Sequence, residues 1–158
     1  TTPPNPNEEE LITTIKLTLV DSAGAKPTVV AQYRDIDGDG GAGPIQWDTI
    51  RLHANTTYLG TIELLDESNS PVDTISNEVR DEGVDHLFCF DVTGLQTQIQ
   101  RTDVDANGLE LGLSTKWRSG IVGTGSINIQ LRHQPGNKNG TCSVGASDID
   151  LVFQTEVN

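Results

Sequence analysis

Two short stretches of this sequence combine acidic residues and glycine in a pattern typical of calcium-binding loops. In the first, Asp35, Asp37 and Asp39 occupy alternate positions before Gly40. Alternate residues of a tight loop direct their oxygens toward one point, and Ca²⁺ takes about six to eight oxygen ligands. Without a cation, the neighbouring carboxylates repel one another. The sequence therefore predicts a calcium site in this loop.

A second loop repeats the pattern with Asp103, Asp105, Asn107 and Gly108. An EF-hand would carry a bidentate acid at the last loop position, where this chain has Gln46 in the first loop and Ser114 in the second. The flanking segments also alternate like strands, so we predict calcium-type turns between strands. Since Asp, Asn and Gly are also the common residues of β-turns, ordinary turns are the alternative.

Two histidines are candidate ligands for a transition metal. His86 shares its side of a predicted strand with Phe88, and His133 ends another alternating segment. If these strands pair antiparallel, both imidazoles meet at one end of the core, close to Asp85 or Glu82. Two imidazoles and a carboxylate suit zinc or copper. The alternative is that each histidine only makes a hydrogen bond at its strand end.

The two tryptophans are candidate surfaces for ligand binding. Trp117 lies between Lys116 and Arg118, beside a glycine-rich segment. An exposed indole at this position could stack on a sugar ring, as in carbohydrate-binding modules, which gives a second functional hypothesis. For Trp117 we leave both an exposed platform and a core position open. For Trp47, which follows the first acidic loop, we expect a place in the core.

The sequence favours a protein without catalytic activity. It contains no G-x-S-x-G, H-E-x-x-H, Walker or dinucleotide-binding glycine motif. Acids at alternate positions of a turn suit cation binding better than the facing carboxylate pair of a glycosidase. We therefore expect a non-enzymatic binding protein, with calcium as the first candidate cofactor.

Composition and charge exclude several classes of partner. The 158 residues carry 23 acidic and 10 basic side chains, a formal net charge of −13. Because phosphates would be repelled, we expect neither nucleic acid nor an anionic membrane surface as partner. Cations, neutral glycans and basic proteins stay possible, and no apolar run approaches the roughly 18 residues of a membrane-spanning helix. We expect a monomer.

Alternation of apolar and polar residues predicts an all-β fold. Leu17 and Leu19 share one side of the first such segment, with Lys16 and Thr18 on the other. About eight strands at regular spacing favour an antiparallel β-sandwich of immunoglobulin-like or Greek-key type. It would form a single domain over residues 10–158, with a jelly roll as the structural alternative.

Three segments give more specific predictions. Residues 45–53 predict one strand that forms a hairpin with 57–65. Residues 85–92 are apolar at both parities, which predicts a central strand covered on both faces. Within residues 66–85, Pro71 and the apolar spacing that follows predict a short helix.

Two other features concern export. Residues 1–9 are rich in proline and polar side chains, which predicts a flexible tether ahead of the domain. Cys89 and Cys142 could form a disulfide in an oxidising compartment, or could be two buried thiols. A disulfide would stabilise the fold by roughly 4 kcal/mol in the chain-entropy model.

Four stretches together resemble a family of small exported lipoproteins from Bacteroidetes-type bacteria. They are residues 7–14, 35–40, 85–88 and 131–133. The resemblance implies a periplasmic or outer-membrane location and lipid attachment through a cysteine upstream of this sequence, which would be the chain's only link to a membrane. It further implies service beside an outer-membrane transporter, and no known reaction.

Overall fold

The computed structural model describes residues 11–38 and 40–158, which fold into two β-sheets packed around one apolar core. The elements in chain order are β1 Thr14–Asp21, β2 Val29–Arg34, β3 Gln46–Trp47, β4 Ile50–Leu52, β5 Thr57–Leu65, α1 Ile75–Asp81, a 3₁₀ turn Gly83–Asp85, β6 His86–Thr93, β7 Gln98–Arg101, β8 Ser114–Arg118, β9 Gly123–His133 and β10 Ala146–Val157. The predicted all-β sandwich is confirmed, with ten strands in the described part of the chain. The tether prediction falls on residues outside the described ranges.

The two sheets differ in width. The wide sheet has the strand order β3-β2-β1-β5-β8-β7, and the narrow sheet has the order β4-β10-β9-β6. Strand β1 shows how the sequence builds the core: Ile15, Leu17 and Leu19 are buried, as the alternation predicts. Each such side chain stabilises the fold by about 2 kcal/mol through the apolar area it removes from water.

The predicted strand over residues 45–53 is divided between the two sheets, so the hairpin prediction is wrong. Strand β3 pairs with β2 in the wide sheet, whereas β4 pairs in parallel with β10 in the narrow sheet. Asp48 lies between β3 and β4, where the chain passes from the wide sheet to the narrow sheet. Its amide donates to the carbonyl of Gln32 at 2.9 Å, and its carboxylate accepts a hydrogen bond from the Gln32 amide at 2.9 Å.

The helix forms, but it begins later than predicted. Asp66 and Asp73 exchange two backbone hydrogen bonds of 2.9 and 3.0 Å, and these close the preceding segment into a loop that includes Pro71. Helix α1 therefore starts at Ile75, and its apolar face, Ile75 and Val79, packs into the core as expected.

Strand β6 is at an edge of the narrow sheet, not at its centre. It pairs with β9 on one side, while the amide of Phe88 donates to the carbonyl of Leu111 on the other side at 2.8 Å. The chain around Leu111 thus lies along the free edge of the strand at Phe88. Cys89 of this strand forms a disulfide with Cys142.

Candidate functional site

The first acidic loop follows strand β2 and closes on itself through hydrogen bonds. The Asp35 side chain is buried and accepts a hydrogen bond from the Tyr33 hydroxyl at 3.3 Å. The carboxylate of Asp37 accepts one from the amide of Ala42 at 2.8 Å. This bond, together with a side-chain hydrogen bond to Asp35, holds the pKa of Asp37 below its usual value. Asp35 and Asp37 are thus brought together, while Asp39 lies outside the described residues.

A cleft of about 290 Å³ opens beside this loop. Its walls combine apolar side chains with three acids, Asp35, Asp148 and Asp150. The other lining residues are Leu11, Ile12, Thr14, Ile15, Tyr33, Gly38, Ile149 and Leu151. Since no basic side chain is among these described lining residues, the cleft suits a neutral or cationic ligand better than an anionic one.

Trp47 provides an aromatic surface next to this cleft. Its indole packs edge-on against the ring of Tyr33, which lines the cleft, at a centroid distance of 5.1 Å. The side chain is 52 % exposed, so our expectation that Trp47 fills the core is wrong. The reason is its position on the two-residue edge strand β3. Tyr33, which sequence reasoning did not select, could have been found as the aromatic residue that precedes the acidic loop.

Trp117 has the opposite environment, and the expectation that it could present its ring to a ligand is wrong. It is 0 % exposed and donates from Nε1 to the Thr115 hydroxyl at 2.8 Å. Strand β8 lies between β5 and β7, with Tyr58 opposite Trp117 in the register. An inward side chain on an interior strand is covered by the second sheet, so Trp117 belongs to the core.

In the second acidic loop, a lysine faces the carboxylate of Asp105. Lys138 Nζ lies 2.7 Å from Asp105 Oδ2, and the two side chains are 3 % and 0 % exposed. Asp105 Oδ1 also accepts hydrogen bonds from the amides of Asn107 and Leu109, at 2.8 and 3.0 Å. Burial raises the pKa of Asp105, but the hydrogen bonds from Lys138 and these amides outweigh it and lower the pKa overall.

Asp103 is engaged in the same way. Its two oxygens accept hydrogen bonds from the amides of Gly112 and Ser114, at 2.7 and 3.2 Å. The carboxylates of this loop thus bind protein donors and the Lys138 ammonium group. Calcium binding therefore stays a prediction for the first loop, and we do not propose it for the second.

His86 and His133 meet as the sequence predicted. They are opposite each other in the β6–β9 register, and their rings stack with centroids 5.0 Å apart. His86 Nδ1 lies 3.0 Å from the Glu82 carbonyl oxygen, and Nε2 lies 3.8 Å from Asp148 Oδ2. Residues 11–38 and 40–158 contain no group of three His, Cys, Asp or Glu side chains arranged for a metal ion. Zinc or copper binding stays a prediction.

The buried His86 makes stability depend on pH. Burial lowers its pKa, and the positive electrostatic effect of His133 and Lys138 adds to this; the Glu82 hydrogen bond and Asp85 act in the opposite direction. In the unfolded chain His86 takes up a proton near pH 6.5, while in the folded protein it stays neutral to lower pH.

The free energy of unfolding is therefore fully maintained above about pH 6.5 and falls as the pH drops toward the folded-state pKa, by up to about 1.4 kcal/mol per pH unit. Urea unfolding of the wild type and His86→Gln between pH 7.5 and 5 checks this. The variant should show a flatter dependence, whereas His53→Gln should match the wild type. Equal slopes in His86→Gln and the wild type would contradict the assignment.

No protein-family model, curated protein or solved structure matches this chain. Within the described residues, no helix has the length and apolar character needed to cross a membrane.

Proposed function

We propose that this chain is a non-enzymatic, extracytoplasmic domain that binds a neutral glycan at the cleft beside Trp47. The observation that carries the proposal is a half-exposed indole packed on Tyr33, which lines the cleft together with Asp35 and Asp150. This replaces Trp117 as the ligand surface in the carbohydrate-binding hypothesis.

Sugars match both parts of this site. The apolar face of a pyranose ring stacks on an indole, and its hydroxyl groups donate hydrogen bonds to carboxylates. The cleft is at the small end of the roughly 300–1,000 Å³ range of ligand pockets. It would hold one end of a glycan, with the next ring on Trp47. The net charge of −13 disfavours acidic sugars.

We further propose that Ca²⁺ binds the loop of Asp35, Asp37 and Asp39. This loop forms one wall of the cleft, since Asp35 and Gly38 line it. Carboxylate oxygens are the ligands that calcium prefers, and the ion would remove the repulsion between neighbouring acids. Its role would be to fix the loop for the ligand and to stabilise the fold by mass action.

The disulfide between Cys89 and Cys142 supports the extracytoplasmic location, because disulfides persist in oxidising compartments. The lipoprotein resemblance adds attachment to the outer membrane through an upstream lipid and service beside a transporter. In this proposal the domain acts as a monomer that captures or presents a glycan, and no reaction is assigned to it.

The test is a screen of neutral glycans with labelled protein, followed by calorimetric titration of the strongest binder. We expect Trp47→Ala to weaken binding at least about tenfold, because stacking on an aromatic ring typically contributes more than 1 kcal/mol. The matched control is Leu59→Ala on strand β5, which removes an equally exposed apolar side chain. It should bind like the wild type. Retained affinity in Trp47→Ala, or no binder among neutral glycans, would contradict the proposal.

The proposal that Ca²⁺ binds the first loop is tested in the same titration. Binding should weaken in EDTA and recover when Ca²⁺ is added back. If the affinity is the same in EDTA, the glycan site stands and the calcium proposal fails.

A further inference from the structure

The disulfide has an unusual neighbour, the guanidinium group of Arg101. Arg101 Nη2 lies 3.4 Å from Cys142 Sγ and 3.9 Å from Cys89 Sγ. The cation therefore contacts both sulfurs, although a disulfide carries no charge to attract it.

Arg101 is held firmly in this position. Its Nε donates to the carbonyl of Phe88 at 2.6 Å, and its Nη1 forms an ion pair with Glu110 at 2.9 Å. The side chain is only 19 % exposed. A fixed, partly buried cation stabilises an anion at the sulfurs more than a mobile surface lysine would.

The two sulfurs differ in accessibility. Cys89 is buried on strand β6, whereas Cys142 is exposed in the 134–145 segment between β9 and β10. Cys142 is therefore the cysteine of the pair that we expect a thiolate from solvent to attack. Because exchange proceeds through thiolates, a nearby guanidinium that lowers the pKa of the departing thiol accelerates the step.

We propose that Cys89–Cys142 is a thiol–disulfide exchange site for a dithiol reductant, with Arg101 as the group that stabilises the departing thiolates. A thiolate of the reductant attacks Cys142 Sγ, the S–S bond breaks, and its electron pair leaves on Cys89 Sγ. The second thiolate of the reductant then attacks the mixed disulfide at the reductant's own sulfur. This closes the reductant's disulfide and releases the Cys142 thiolate, 3.4 Å from Arg101 Nη2.

The overall exchange transfers two electrons from the dithiol to the protein disulfide. The dithiol is oxidised to a disulfide and loses two protons to water, and the protein disulfide is reduced to two thiols that take up two protons from water. Reduction removes the covalent link between the 134–145 segment and strand β6. This segment also carries Lys138, whose ammonium group donates to the carbonyl of Gly83 and to Asp105. After exchange, noncovalent contacts such as these would hold the segment to the sandwich in place of the covalent bond.

The experiment uses the oxidised wild-type protein and dithiothreitol as the dithiol, with free thiols counted by alkylation and mass spectrometry over time. Arg101→Leu should react about tenfold more slowly, and its equilibrium with the dithiol should shift toward the protein disulfide. Arg101→Lys keeps a cation and should recover part of the rate. Equal rates and equilibria in Arg101→Leu and the wild type would overturn the proposal.

Two controls separate the charge at the sulfurs from other effects. Arg118→Leu on strand β8 removes one exposed positive charge from the wide sheet, which also contains Arg101. It should leave the exchange rate within about twofold of the wild type. Glu110→Gln breaks the ion pair but keeps the guanidinium by the sulfurs, so it should not slow the exchange. If Glu110→Gln slows it as much as Arg101→Leu, local packing rather than the cation sets the rate, and the proposal fails.

Discussion

Replacing Trp117 with alanine is expected to lower the free energy of unfolding by about 4 kcal/mol, within the range for buried aromatic residues. The indole is 0 % exposed and contacts Phe90 edge-on, with centroids 6.3 Å apart. It also covers the backbone of Gly60, where an added Cβ would lie 3.2 Å from Trp117 Nε1. Truncation leaves a cavity between the sheets and removes the hydrogen bond to Thr115, which is itself buried.

The control for this prediction is the other tryptophan. Trp47→Ala removes the same side chain from a half-exposed position on an edge strand, and we expect a cost below about 1 kcal/mol. Urea unfolding followed by circular dichroism measures both, since the signal does not depend on the removed fluorophore. Similar costs for the two variants would mean that Trp117 is not the core residue described above.

This contrast shows what alternation along a strand can and cannot predict. Parity is a local property, so the sequence correctly predicted that Ile15, Leu17 and Leu19 face the core. It also predicted that His86 and His133 meet if their strands pair antiparallel, because His86 begins one strand and His133 ends the other. Whether an inward side chain is covered depends in addition on the place of its strand in the sheet. That place is decided by pairing with distant segments, which is why the sequence wrongly predicted a core position for Trp47 and left both positions open for Trp117.

The crossing at Asp48 is a second non-local feature. Residues 45–53 alternate well enough for one continuous strand, and no glycine or proline marks the point where the chain changes sheets. The change depends on hydrogen bonds between Asp48 and Gln32, and on the pairing of β4 with β10, more than ninety residues later. Single-sequence patterns carry no information on such a contact.

The acidic loops illustrate the limit for site residues. Their D-x-D-x-D/N-G spacing describes a turn whose oxygens converge, and the structure places Asp35 and Asp37 accordingly. What those oxygens bind depends on the surrounding chain. In the second loop, the positive charge comes from Lys138, which lies 33 residues beyond Asp105 in a segment tied to β6 by the disulfide.

A large loss of stability is also expected when the Lys138–Asp105 ion pair is broken. Lys138→Met should lower the free energy of unfolding by about 3 kcal/mol. Methionine keeps an unbranched side chain as far as Cε but removes the ammonium group from Asp105 and from the Gly83 carbonyl. Removing one partner of a buried ion pair leaves an uncompensated charge, which costs several kcal/mol. Lys26→Met, at an exposed lysine, should cost less than about 0.5 kcal/mol.

A double-mutant cycle identifies the source of this cost. Asp105→Asn removes the carboxylate charge, and in the Lys138→Met/Asp105→Asn protein no buried charge is left unpaired. We expect the double variant to be more stable than the sum of the single effects predicts, with a coupling energy of about 2 kcal/mol. Additive costs would mean that Lys138 stabilises the fold through packing alone.

The Lys138–Asp105 pair also contributes to the response of stability to acid. The pKa of Asp105 is lower in the folded protein than in the unfolded chain, so its contribution to stability is present above about pH 4 and is lost as the pH falls through the folded-state pKa. Without the Lys138 ammonium group, burial acts against the ionised form and the folded-state pKa of Asp105 rises. Lys138→Met should therefore lose less stability than the wild type as the pH falls from about 4 through the wild-type folded-state pKa of Asp105, so the stability difference between the two proteins should narrow. Urea unfolding at a series of pH values from 7 to 3 measures this narrowing, and a stability difference that stays the same at every pH would contradict it.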